Sequence, residues 1–130
     1  MVDDDDETRQ ISINVLVDSG YGCEGAKDGA AGWEAIQTTD YDLIVTDNKM
    51  PRMTGLEMLE KMRAARMTLP VIMATGNLPT AEFGRRPWLK PDLTLQRPFS
   101  NDDLLASVKK ILGTDDGKGD FKESLLPKYL

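Results

Sequence analysis

The chain is predicted to fold as an α/β protein: a three-layer, doubly wound parallel sheet in a (βα)5 order. Short β-type runs alternate with helix-length segments, the pattern of a parallel sheet covered on both faces. The run "PVIMAT", Pro70 to Thr75, is uninterruptedly apolar, as in a strand buried on both sides. At 130 residues the chain has the usual size of one domain and can bury a layered core. One domain is expected over residues 1–113, with 114–130 as a mostly flexible C-terminal tail, glycine- and charge-rich.

The first strand is reduced to Met1 and Val2 before a run of acids, which reads as a truncated strand. A helix from about Glu7 to Asp18 stops at Ser19-Gly20. The strand Gly22 to Lys27 leads through Asp28-Gly29 into a helix carrying Trp33 and Ile36, with Trp33 read as packing. The strand Leu43 to Thr46 follows. From about Gly55 to Arg66, Leu56, Leu59 and Met62 recur on one helical face. After Pro70–Thr75, Pro79, Pro87 and Pro91 bracket Ala81 to Arg86, leaving room for about two helical turns. Trp88, in "RRPWLKP", reads as either a core plug or an exposed contact. "LTLQ", Leu93 to Gln96, is the last short strand. Ser100 or Asn101 then caps a helix with an apolar stripe of Leu104, Leu105, Val108, Ile111 and Leu112, Lys109 and Lys110 near its end, and Gly113 as its stop. Met58, Met62 and Met73 are expected in the core.

Composition excludes several chemistries. One cysteine, Cys23, rules out an internal disulfide framework and multi-cysteine zinc sites. Without histidine the chain can build no Ser-His-Asp triad, no histidine metal pair and no phosphohistidine. Chemistry must run on carboxylates, hydroxyls, Lys and Arg. A formal net charge of -6 argues against nucleic acid as the main partner and suits a cation such as Mg²⁺. No run is long enough to span a membrane and no leader is apparent, so the expected compartment is the cytoplasm, without a membrane partner.

In an open parallel sheet, ligands collect at the carboxyl ends of the strands. The residues there are Asp3 to Asp6, Asp47, Thr75 and Arg97. Clustered carboxylates repel one another unless a cation offsets them, and Mg²⁺ takes oxygen ligands. A phosphoryl group reaching Asp47 would meet that cation, the Arg97 guanidinium and the Thr75 hydroxyl, and the product would be an aspartyl phosphate. Asp5, Asp6 and Glu7 read as capping and surface acids. "GTDDGKG" lacks the spacing and the preceding strand of a phosphate loop.

The segments "VDDDDETR", "VTDNKMPRMTG", "MATG" and "QRPF", in this order over roughly Met1 to Leu112, resemble the motif set of the response-regulator receiver domain of bacterial two-component (phosphorelay) signalling. The resemblance implies a flavodoxin-like five-stranded sheet in the order 2-1-3-4-5. It implies Asp47 as phosphoacceptor, Asp3 and Asp4 as the acid pair for Mg²⁺ with Asp4 the direct ligand, and Asp47 and the Lys49 backbone carbonyl as further metal ligands. Thr75 would be the switch hydroxyl, Arg97 the phosphate contact, and Pro98 would follow a cis peptide bond. The chain departs from the family pattern in four places. Arg97 stands where the family has Lys, keeping charge but widening the contact. Thr94 replaces an aromatic that reports the switch in many members. The fourth helix is short, and the first strand is truncated.

These readings imply a phosphorylation-dependent switch, fed by a sensor histidine kinase or phosphotransfer protein and acting on a downstream protein, either as a stand-alone regulator or as the receiver of a larger protein. The alternative is a degenerate receiver that binds partners without being phosphorylated. A phosphatase with an aspartyl nucleophile would need a second Asp where Lys49 stands, so turnover of outside substrates is not expected. A flavin carrier of this topology would not place aspartates at its first loop.

Overall fold

Period-two alternation along two central strands sorts apolar side chains into two cores. The computed structural model describes residues 1–112 and the backbone of Lys128–Tyr129. In chain order the elements are α1 (Asp6–Asp18), β1 (Gly22–Cys23), α2 (Gly29–Thr38), β2 (Ile44–Thr46), α3 (Gly55–Ala64), β3 (Val71–Thr75), α4 (Thr80–Arg85), β4 (Leu93–Gln96), α5 (Asn101–Leu112) and β5 (Lys128–Tyr129). A 3-10 turn at Pro87–Leu89 lies between α4 and β4.

β2, β3 and β4 pair side by side in parallel, with Ile44 opposite Val71 and Ile72 opposite Leu93. Every residue of β2 and β3 is buried. Leu43, Val45, Ile72 and Ala74 pack with Leu16 of α1 and with Leu104 and Val108 of α5. Ile44, Val71 and Met73 turn the other way, onto Ile36 of α2, Met58, Leu59 and Met62 of α3, and Phe83 and Leu89. A sheet with helices on both faces follows directly, because one strand cannot bury both sets of side chains against a single layer.

Short as it is, the first strand does its pairing. Val2 bridges Ala26 on one side and Thr46 on the other, both in parallel. Its amide donates to Val45 O at 2.8 Å and its carbonyl accepts from Asp47 N at 2.9 Å. Asp3 N donates to Ala26 O at 3.1 Å, and Ala26 N donates to Met1 O at 3.0 Å. Met1 and Val2 are fully buried, so two residues supply both a ladder and core volume at the centre of the sheet.

The structure corrects some boundaries. The strand expected over Gly22 to Lys27 is continuous only at Gly22–Cys23, with Ala26 as a separate bridge, because its two halves have different partners: Gly22–Cys23 pairs with Lys128–Tyr129 and Ala26 with Val2. Pro70 falls outside β3; the Val71 amide is taken by Asp92 Oδ1 at 2.8 Å instead of a strand partner. α3 ends at Ala64 and Arg66 turns out of it at φ 58°. The fourth helix is short as expected, with six residues before the proline-started 3-10 turn. Ser100 caps α5 reciprocally: Asp103 N donates to Ser100 Oγ and Ser100 N donates to Asp103 Oδ2, both at 3.0 Å. The tail expectation for 114–127 and Leu130, like the helix stop at Gly113, lies outside the described residues; Lys128–Tyr129 pairs in parallel with Gly22–Cys23.

Candidate functional site: the acidic end of the sheet

Three strand ends converge. Asp3 follows the Val2 bridge, Asp47 follows β2 and Thr75 closes β3, so ladder hydrogen bonds fix the Cα positions from which the side chains project. One carboxylate oxygen each from Asp3, Asp4 and Asp47 lies within 4.8 Å of the others. Asp3 is buried, Asp47 half-buried and Asp4 exposed, so the cluster opens to solvent on the Asp4 side. Three hard oxygen donors, part in and part out of water, fit a Mg²⁺ ion that keeps several of its waters.

Arg97 follows β4, and its amide donates to Thr75 O at 3.0 Å. From there Nη2 reaches Asp3 Oδ2 at 2.5 Å. The guanidinium carbon lies 5.7 Å from the centre of the Phe99 ring, a cation–π distance. Arg97 Nε is buried without a partner in the described structure. Asp3 Oδ1 accepts from Asp5 N at 3.0 Å, and the Asp3 carbonyl accepts from Arg9 Nη1 at 2.8 Å. The Arg97–Pro98 peptide bond is cis, as the resemblance implies.

Thr75 is buried, and its Oγ1 accepts from Asn77 N at 3.1 Å. That bond occupies a lone pair and leaves the hydroxyl proton available to donate. Lys49 is exposed in the loop after Asp47. The structure therefore gathers Asp3, Asp4, Asp47 and Arg97, and holds Thr75 one strand away through the Arg97 amide.

Sequence reasoning missed Asn48 and the spatial demand at Gly55. Asn48 Oδ1 accepts from Leu56 N at 3.0 Å and its Nδ2 donates to Asn77 O at 3.2 Å, tying the loop after Asp47 to the start of α3 and to the loop after Thr75. Asn48 N itself donates to Asp47 Oδ1 at 2.7 Å, which fixes the carboxylate's orientation. Gly55 N donates to Asn48 O at 2.9 Å, and a Cβ there would stand 2.2 Å from Asp47 O. Only glycine lets α3 begin this close to Asp47. The signal was present in "MTG", where a capping Thr54 precedes a glycine at the first helical position, but nothing in spacing says what the missing side chain makes room for.

A model of the response regulator receiver domain matches residues 1–109. The transcriptional regulatory protein DltR of Streptococcus agalactiae is 32% identical over 109 residues, covering 84% of this chain and 49% of DltR. The chain thus spans about half the length of this relative. A CheY-like receiver domain from Methanospirillum hungatei superposes with a TM-score of 0.80 at 29% identity, covering 91% of this chain and 94% of that one. The response regulator TrrA of Thermotoga maritima, solved in complex with Mg(2+)-BeF, gives 0.73 at 26% identity over 85% of this chain and 94% of its own. Response regulators take signals from histidine kinases and pass them to downstream targets, and their receiver domains are signalling modules, not classical substrate-turnover enzymes. Because DltR is by name a transcriptional regulator, the charge-based exclusion of nucleic acid is not supported. Among the described residues no helix is long and apolar enough to cross a membrane. With the family model matching most of its length and the receiver fold around its acidic cluster, the chain belongs to the response regulator receiver domain family.

Proposed function

We propose that the protein is a phosphorylation-dependent switch that accepts a phosphoryl group on Asp47 from a histidine kinase or phosphotransfer protein and signals by protein contact. The observation that carries the reading is the meeting of the Asp3, Asp4 and Asp47 carboxylates within 4.8 Å, with Arg97 paired to Asp3. Mg²⁺ would be held by Asp3, Asp4, Asp47 and the Lys49 carbonyl, and when bound it would neutralise charge on the transferring phosphoryl oxygens.

The chain's own residues do the rest. An Asp47 oxygen forms the new bond to phosphorus while the bond from phosphorus to the donor's nitrogen or oxygen breaks and that atom leaves with its electron pair. Asn48 N holds the other Asp47 oxygen in place. Arg97 can trade part of its contact with Asp3 for the phosphoryl oxygens, offering the Nε–H that now has no partner. Thr75 turns its hydroxyl proton toward the same oxygens.

A second reading, a degenerate receiver, is favoured by the same Arg97–Asp3 pair, because a guanidinium fixed on Asp3 competes with a metal for that carboxylate. Incubation with Mg²⁺ and a small phosphodonor, followed by intact mass measurement, separates the two. A gain of one phosphoryl mass that is absent in Asp47→Asn is expected. No adduct and no Mg²⁺ affinity would establish the degenerate reading.

A further inference from the structure

Between α3 and β4 the chain reverses its charge. From Glu60 to Lys90 it carries six basic side chains against two acidic ones, in a molecule of formal net charge -6. Inside that stretch Trp88 is 62% exposed, more open than Ile11 or Val17 at 49% each. The core does not need the indole. Leu89 and Phe83, at 1% and 9% exposure, already close the apolar layer beneath it.

The turn that presents Trp88 is held from two sides. Pro87 opens the 3-10 turn with its fixed φ. Arg63 of α3 donates from Nε to the Trp88 carbonyl at 2.9 Å and from Nη2 to the Lys90 carbonyl at 3.2 Å. A large aromatic on a fixed backbone loses little conformational freedom when a partner covers it, which is the property of an interface anchor. Beside it a cleft of about 250 Å³ runs between α3 and the turn, lined by Glu60, Arg63, Ala64, Arg86, Trp88 and Leu89.

We infer that the Trp88 turn and this cleft form a docking surface for an acidic segment of a partner protein, one that carries a bulky apolar side chain to pack on the indole. Charge complementarity selects that occupant. Arg85, 70% exposed at its side chain, and the exposed Lys90 flank the indole on either side in sequence. Nucleic acid fits less well. Arg86 pairs with Glu60 at 2.9 Å and Glu82 at 2.6 Å and Arg85 shares Glu82, so Arg63, Arg85, Arg86 and Lys90 exceed the acids Glu60 and Glu82 by two charges, which suits a short acidic segment but is small for a phosphate backbone charged at every nucleotide. One aromatic also offers a short stacking platform.

The test selects a random peptide library on the full chain and counter-selects on Trp88→Ala, after thermal melts show that both proteins fold alike. Surviving peptides are expected to be rich in Asp and Glu around a bulky apolar residue. Their affinity should fall at least about tenfold on Trp88→Ala and on the double variant Arg85→Glu, Lys90→Glu, and should weaken as salt rises. Peptides that do not distinguish the wild type from Trp88→Ala, or that are basic or uncharged, overturn the inference. So does a single-stranded oligonucleotide that binds more tightly than any selected peptide and is lost in Trp88→Ala.

Discussion

Asp3 and Asp28 are each 1% exposed, each follows a stretch that pairs in the sheet, and each carboxylate meets an arginine. Asp28 spends both oxygens locally. Oδ1 accepts from Ala31 N at 2.8 Å, capping α2, and Oδ2 accepts from Arg52 Nε at 2.7 Å. Asp3 also makes one amide and one guanidinium contact, but it does so beside two further carboxylates, and its arginine reaches in from the far end of the chain. The same buried acid with the same partner type is a helix cap in one place and part of the proposed phosphorylation site in the other. What distinguishes them is the surplus of negative charge, which a capping interaction does not need and a cation site does.

Removing the cation from each pair should separate them most. Arg97→Ala leaves a buried carboxylate facing two others and is expected to lower stability by about 3 kcal/mol, the scale for breaking a buried pair. Mg²⁺ should recover part of that loss by binding the folded state. Arg52→Ala is expected to cost about 1 kcal/mol or less, since the Arg52 side chain is 64% exposed and Asp28 keeps its amide donor. Urea denaturation of both variants with and without Mg²⁺ is the measurement. Equal losses, or a Mg²⁺ response in Arg52→Ala alone, would break the distinction.

Each region also has a glycine pressed against backbone. A Cβ at Gly55 would stand 2.2 Å from Asp47 O, and one at Gly29 would stand 2.1 Å from Met53 O. Gly55→Ala and Gly29→Ala should each destabilise by about 2 kcal/mol, because the backbone must yield. Their chemistry should part company. Phosphorylation at the proposed acceptor Asp47, followed by intact mass per folded molecule, should slow in Gly55→Ala, where the displaced atom belongs to Asp47 itself, and hold in Gly29→Ala. Asp28→Ala comes next at about 1–2 kcal/mol for a lost N-cap and ion pair, again with the Asp47 adduct still forming.

The comparison also shows what could be read from residues alone. Asp47 was legible because the apolar run before it marks a buried strand, and a parallel sheet sends the residues after its strands to one end; that rule also brought in the run Asp3 to Asp6, but only the family resemblance singled out Asp3 and Asp4. β4 was read to the residue, since "LTLQ" sits between a proline-rich turn and Arg97-Pro98. The Asp28–Arg52 pair was not legible. It joins two loops 24 positions apart, and Arg52 enters it from a left-handed backbone at φ 68° that no sequence pattern announces. Asn48 was hidden for the same reason: its partners Leu56 and Asn77 are neighbours only once α3 and β3 have packed. Trp88 could be assigned neither inside nor outside, because its exposure depends on whether Leu89 and Phe83 already fill the layer below.

The smallest expected difference is in acid. The Ala31 amide, and after it Arg52, hold the Asp28 carboxyl below its ordinary range, against a burial that pushes the other way. A carboxyl whose folded value is depressed contributes stability that is fully present above its unfolded value of about 3.9, and is lost as pH falls through the folded value beneath it. From neutrality down to about pH 5 this group should therefore add no slope to stability. Asp28→Asn keeps an oxygen to cap Ala31 N but carries no charge for Arg52, so it lacks that titration. Urea midpoints of wild type and Asp28→Asn, taken stepwise from neutral into acid, should differ by a constant amount at first and then converge below about pH 4. A gap that stays constant through the acid range would mean that Asp28 takes its place from packing and capping geometry alone, and that its charge contributes nothing.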